Sequence, residues 1–183
     1  MSDDPRRDIV THLGAMRAFA TSLTRDATLA DDMVQEALIK AWRNIDTFRV
    51  GSNMRAWLFT ILRNTYYSHR RKARREVADV DNVMSDALAQ KPDHDGRLQL
   101  RDFAHAFETL PDEQREALTL VGAAGFSYEE AAETCGVAVG TIKSRVNRGR
   151  ARLAEVLHLE TDDAMELTDQ VTAGIVSAQQ GAL

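Results

Sequence analysis

Residues 126–153, FSYEEAAETCGVAVGTIKSRVNRGRARL, decide the architecture of this chain. Ser127 and Glu130 stand at capping-box spacing, each side chain placed to satisfy the other's backbone N–H, so a short helix starts here. Cys135-Gly136-Val137 supplies a turn, with glycine able to take the left-handed backbone that ends a helix. Val139-Gly140-Thr141 starts the next helix, and Ile142, Val146, Gly149 and Leu153 recur at helical spacing as its buried side. On the wheel, Ser144, Asn147 and Arg148 point away from that side, flanked by Lys143, Arg145, Arg150 and Arg152. Short polar groups and an arginine suit base edges, and basic flanks suit phosphates. That is the layout of a helix-turn-helix recognition helix. An ordinary amphipathic surface helix would show the same stripe, but not the coincidence of cap, turn and acid-free basic face. Upstream, Leu110-Pro111-Asp112 opens another helix with proline preset for its first turn.

Working outward, charge is segregated along the chain. The net charge of −5 argues against a nucleic-acid binder, but the distribution argues for one. Thr47 to Arg75 holds eight Lys/Arg and no Asp/Glu, and Gly136 to Ala154 holds five basic residues and no acid. Between them, Glu76 to Cys135 carries fourteen acidic residues against four basic, and Glu155 to Leu183 six acidic and none basic. Phosphate binding follows local potential, so the blocks matter more than the sum.

The first basic block has its own structure. Phe48-Arg49-Val50-Gly51-Ser52-Asn53 reads as a loop, with Ser52 or Asn53 as the N-cap of a helix from Met54. Trp57, Leu58, Ile61, Leu62 and Thr65 form that helix's apolar face. Arg63, Tyr67, Arg70, Arg71 and Arg74 lie on the other, with Asn64 at its edge and Tyr66 on the flank. Aromatics among arginines suit unstacked bases as well as phosphates; partly buried packing tyrosines would read the same way. Before it, Asp31 to Trp42 is amphipathic, with Val34, Leu38, Ala41 and Trp42 as the buried stripe and Asp32, Gln35, Glu36 and Lys40 polar.

The rest bounds the function. The chain has 183 residues, 44% of them apolar, three prolines and a single cysteine, Cys135. One cysteine excludes an internal disulfide and suits a reducing cytoplasm. The scattered histidines form no metal or triad spacing, so no metal, cofactor or enzyme activity is expected. The opening MSDDPRRDIV lacks a secretory core, and no apolar run approaches membrane-spanning length. Strand alternation is not evident. The expected fold is all-α, two small helical domains joined by a flexible linker. The first covers 1–77, an acidic linker 78–96, the second 97–159, and an acidic tail 160–183.

With these residues in view, the chain resembles the extracytoplasmic-function (ECF) sigma factors of the sigma-70 family. The resemblance is carried by D-D-M-V-Q-E from Asp31, F-R-V-G-S-N-M-R-A-W-L-F-T-I-L-R-N from Phe48, L-P-x-x-Q-R-E-A from Leu110, and residues 125–153. It covers about residues 9 to 157 in order, and N-T-Y-Y-S-H-R-R-K from Asn64 is most similar to the alphaproteobacterial general-stress subgroup. The resemblance implies a sigma2-like bundle and a sigma4-like helix-turn-helix. It implies that Asp32, Gln35 and Glu36 face the β′ clamp helices of core RNA polymerase, with the β flap a second contact. Phe48, Arg49, Ser52, Asn53, Asn64, Tyr67, Arg70 and Arg71 would serve the −10 element, the loop and Asn64 capturing a base flipped from the duplex. Lys143, Ser144, Asn147 and Arg148 would read the −35 element, and Thr141, Arg145 and Arg150 would hold its phosphates. The linker would thread toward the polymerase active site and RNA exit channel. A small helical anti-sigma factor would clamp the two domains, and the acidic segments would mask the basic helices in the free protein. Ser68 departs from the aspartate many members carry.

Two other readings stay open on the residues. A sigma-like decoy that sequesters the anti-sigma factor would need a receiver domain and no DNA-reading helices. A stand-alone helix-turn-helix repressor would leave the 47–75 block without a purpose.

Overall fold

The structure, a computed structural model, describes residues 5–78 and 97–158. Among these residues every regular element is helical. The linker from Asp79 to Gly96 and the tail expected at 160–183 lie outside the described residues.

The first module is built from α1 (Pro5–Thr11), α2 (Leu13–Thr24), α3 (Ala27–Arg43) and α4 (Met54–Ala78). Asp26 starts α3 as its N-cap, accepting from the backbone N–H of Thr28 at 2.8 Å and Leu29 at 3.0 Å. Met16, Phe19 and Leu23 of α2, Met33, Ala37 and Ala41 of α3, and Leu58, Phe59 and Leu62 of α4 close the core. The helical spacing of α4 holds as expected for Leu58, Leu62 and Thr65, while Trp57 and Ile61 are only half-buried.

The second module comprises α5 (Arg97–Glu108), α6 (Asp112–Leu118), a π-helical turn at Thr119–Ala123, α7 (Tyr128–Cys135) and α8 (Val139–Leu157). Pro111 is the N-cap of α6, one place before the first helical position expected from sequence. The capping box of Ser127 and Glu130 is complete, and Gly136 ends α7 in the left-handed conformation at φ 66°. Ile142, Val146, Gly149 and Leu153 are all buried, as the spacing predicts. Gly149 leaves room for Leu118: a Cβ at this position would lie 2.6 Å from Leu118 Cδ1 and 3.3 Å from its Cγ, so the buried leucine would have to move.

The two modules pack on each other. Phe126, 3% exposed, sits with its ring centroid 5.0 Å from that of Phe59, which in turn lies 5.1 Å from Phe19. Three rings thus run from the core of one module into the other. Burying a phenylalanine contributes about 1.5–3 kcal/mol, so Phe126 alone is a substantial tether.

Candidate nucleic-acid interface

Three surfaces collect the residues singled out from sequence. On α8, Thr141, Lys143, Asn147 and Arg148 are exposed, while Ser144, Arg145 and Arg150 are half-buried. Arg145 pairs with Glu113 of α6 at 3.0 Å, and Lys143 Nζ lies 5.7 Å from the Tyr128 ring centroid. The ring and the carboxylate steady two long cationic side chains beside the exposed Asn147 and Arg148. Side chains held this way lose less entropy on meeting a phosphate or base edge.

The second surface is the loop before α4. Gly51 takes φ 87°, which a side chain rarely adopts, and no atom crowds it, so the requirement there is conformational. Ser52 Oγ donates to Arg49 O at 2.7 Å, and the Phe48 ring tilts on Trp57 at 5.2 Å. Of the two caps allowed by sequence, Asn53 is the one used: its Oδ1 accepts from Ala56 N at 3.0 Å. With the oxygen committed to the cap, its amide N–H groups face outward, and here they donate to Glu130 of α7. Arg49, Ser52, Asn64 and Arg71 are exposed, Arg71 donating to Ser68 Oγ at 3.1 Å.

Tyr67 and Arg70 are placed differently from a free DNA face. Arg63 Nε donates to Glu116 Oε1 at 2.7 Å and Tyr67 Oη donates to Glu116 Oε2 at 3.3 Å. Glu116 is wholly buried. Arg70 bonds Asp112, which Arg115 also holds at 2.7 Å and Arg25 approaches at 3.6 Å. Arg55 donates to the carbonyls of Ala124 (2.7 Å) and Gly125 (3.2 Å), and its guanidinium lies 4.4 Å from the Phe126 ring centroid. The sequence-based expectation that Tyr67 and Arg70 lie on an open polar face is therefore corrected. At Arg63, Tyr67 and Arg70 that face of α4 is covered by α6, while Arg71 and Arg74 farther along it are exposed.

The electrostatics follow from this packing. Burial pushes the Glu116 carboxyl above its ordinary range, with Arg63 pulling the other way. Burial also works against the Arg63 charge, but Glu116 more than offsets it, so the guanidinium stays ionised. Both shifts favour the protonated form, which is the charged state for Arg63 and the neutral state for Glu116. The burial of Glu116 is the governing fact, because arginine is always charged. Asp112 is held below the usual carboxylate range: burial opposes this, but Arg115 and Arg70 prevail. Burial also pushes the Cys135 thiol up to about 12.

The third surface is on α3. Asp32 and Gln35 are exposed and Glu36 is half-buried, paired with Lys40 at 2.7 Å. The buried side is Ala30, Met33, Val34, Ala37 and Ala41. Trp42, expected from sequence in the buried stripe, is 55% exposed, and Ile39 is 51% exposed. Helical spacing from Asp32 through Gln35, Glu36 and Ile39 puts both apolar side chains on the carboxylate face.

Sequence reasoning missed Arg55, Asp112, Arg115 and Glu116. Arg115 is 1% exposed and reaches from α6 to the carbonyl of Ser22 in α2 and that of Leu110 (2.9 Å). Asp112-Glu113-Gln114-Arg115-Glu116 reads as a polar first turn, so the sequence carries no local signal that Arg115 and Glu116 are buried.

Comparison with known proteins agrees with this geometry. Residues 9–76 match the family model for sigma-70 region 2, and residues 100–153 that for sigma-70 region 4. The chain is 50% identical over 175 residues to the ECF RNA polymerase sigma factor EcfG of Rhodopseudomonas palustris, covering 96% of this chain and 97% of that protein. Among solved structures it is similar to the sigma factor RpoE in complex with the anti-sigma factor NepR from Bartonella quintana. The TM-score is 0.78 with 51% identity, over 86% of this chain and 98% of that one. It is also similar to CnrH in complex with the cytosolic domain of CnrY, with TM-score 0.56 and 29% identity over 83% and 86% of the two chains.

Proposed function

The chain belongs to the sigma-70 family, in its extracytoplasmic-function group, and from that premise we propose which of its surfaces performs each step of promoter recognition. It directs core RNA polymerase to promoters with −35 and −10 elements and starts transcription there. It acts as a transcription regulator in the cytoplasm, not as an enzyme. The division into residues 1–77, 78–96, 97–159 and 160–183 assigns core binding and −10 melting to the first part and −35 recognition to the third.

The observation that carries the reading is the helix-turn-helix with its exposed Thr141, Lys143, Asn147 and Arg148. A B-DNA major groove admits one helix whose outer side chains reach base edges. Lys143, Ser144, Asn147 and Arg148 are the base readers, and Thr141, Arg145 and Arg150 the phosphate holders. In the first module, Arg49, Ser52, Asn53 and Asn64 receive the flipped −10 base, with Phe48 shaping the loop. Tyr67, Arg70 and Arg71 follow the melted strand. Asp32, Gln35 and Glu36 meet the polymerase clamp, with Ile39 and Trp42 extending the patch by apolar area.

The similarity to a sigma factor solved with NepR supports an anti-sigma partner for this chain and a role in the general stress response. That match covers 86% of this chain and so takes in both modules. A decoy that bound only the inhibitor would have no use for the exposed reading face of α8. Overexpressing the chain and mapping transcript starts tests the assignment. New starts should lie downstream of one shared pair of elements at fixed spacing. Induced transcripts with no common upstream pair would count against it.

A further inference from the structure

The covered face of α4 has a consequence for the free protein. Asn53, Arg55, Arg63, Tyr67 and Arg70 lie along one side of the first module. The groups they meet on the second module are Glu130, Glu116 and Asp112. Of these donors the preceding reading gives Asn53, Tyr67 and Arg70 to the −10 strand, and each of the three bonds one of the carboxylates. A carboxylate and a phosphate offer a guanidinium the same kind of acceptor pair. We propose that the Asp112–Glu116–Glu130 face of α6 and α7 is an intramolecular stand-in for promoter phosphates. It closes the chain on itself with no other protein bound, so that closure and −10 binding are mutually exclusive.

Magnitudes divide the labour within this latch. Buried ion pairs add little net affinity over apolar groups of the same size, because desolvation takes back most of the Coulomb gain. The closing energy therefore comes chiefly from Phe126 against Phe59 and under Arg55. The carboxylates set the register, since any other placement would leave Arg63 and Glu116 buried and unpaired. Opening returns Glu116 to water and frees the donors for DNA. The groups facing Glu116 are Arg63 and Tyr67 of α4 and Arg145 of α8, with Cys135 of α7 beside them. Asp112, Glu116 and Glu130 belong to the acidic stretch from Glu76 to Cys135 that the sequence marks out, while residues 79–96 of it and the tail lie outside the described residues.

The inference rests on the reading of α4 as the −10 face, and the test separates the two. Spin labels at Asp46 and Glu155, both exposed, report the distance between modules in the full chain by double electron–electron resonance. A fluorescent single-stranded −10 oligonucleotide reports binding. The free wild-type chain should give one narrow distance distribution and weak oligonucleotide binding. Glu116→Gln with Asp112→Asn should broaden the distribution and tighten binding by tenfold or more. A broad distribution for the wild-type chain, or a narrow one unchanged by the substitutions, overturns the latch. Opening with no gain in oligonucleotide binding overturns the phosphate stand-in and points to failure of the −10 reading itself. Should Glu116→Gln fail to fold, Asp112→Asn and Glu130→Gln at the rim carry the same comparison.

Discussion

Arg63 and Glu116 meet at 2.7 Å across the boundary between the two modules, the carboxylate fully buried and the arginine half-buried. Removing one partner of such a pair costs the packed form about 3–5 kcal/mol, because the other charge is left without a counterpart. Removing both is close to neutral. Glu116→Leu should therefore lower the melting temperature, and Arg63→Met with Glu116→Leu should recover most of the loss. A double-mutant cycle in thermal melts reads the coupling; additive losses would mean that the pair does not form.

Trp42 tests the corrected face of α3. Its side chain is half in solvent, so Trp42→Ala should change stability by no more than about 0.5 kcal/mol. An aromatic at the centre of an interface is a common hot spot, worth about 2 kcal/mol or more when truncated. Core polymerase affinity should fall by at least tenfold in a competition assay. A large loss of stability with unchanged affinity would restore the residue to the core.

Arg148 is outermost on α8. If it reads a base, Arg148→Ala should cost about 1–3 kcal/mol and relax preference at one −35 position. A uniform loss across all sequences, with a shallower salt dependence, would make it a phosphate contact.

A side chain at Gly149 would have to displace Leu118, itself buried. Alanine gains about 1 kcal/mol in helix propensity. The clash in a packed core costs about 1–3 kcal/mol, so the clash wins. Gly149→Ala should lower the denaturation midpoint of the full chain, while Gly140→Ala, where nothing lies near, should not.

His12 gives a pH dependence. Burial lowers its pKa, Asp8 opposes this, and Arg55 adds to it. A depressed folded-state value means that the stabilisation is present above the ordinary value of 6.5 and is lost as pH falls through and below it. Melting temperature should fall between pH 7.5 and 5.5, and His12→Gln should flatten that slope. An equal slope in both proteins would contradict the assignment.

Much of this was legible in the sequence for a local reason. The capping box at Ser127, the glycine at 136 and the spacing from Ile142 to Leu153 are short-range signals, and each appears in the structure as expected. Asn53 as a cap is another. What failed was long-range. Helical spacing puts Trp42 in one stripe with Val34, Leu38 and Ala41, but the buried side of α3 is centred on Ala30, Met33, Val34, Ala37 and Ala41, which leaves Trp42 outside it. Periodicity puts Tyr67 and Arg70 on the polar face of α4 but cannot show which second surface covers it. Their partners Glu116 and Asp112 lie 49 and 42 residues away. The roles of Asp32, Gln35 and Glu36 came from resemblance to a family and not from any local pattern.

The most direct test of the central claim is promoter opening by core RNA polymerase with the purified chain. Permanganate footprinting on genomic fragments should show reactive thymines within a −10 element, only when both proteins are present and only downstream of a matching −35 element. No melted thymines on any fragment, with polymerase that is active with another sigma factor, would contradict the account.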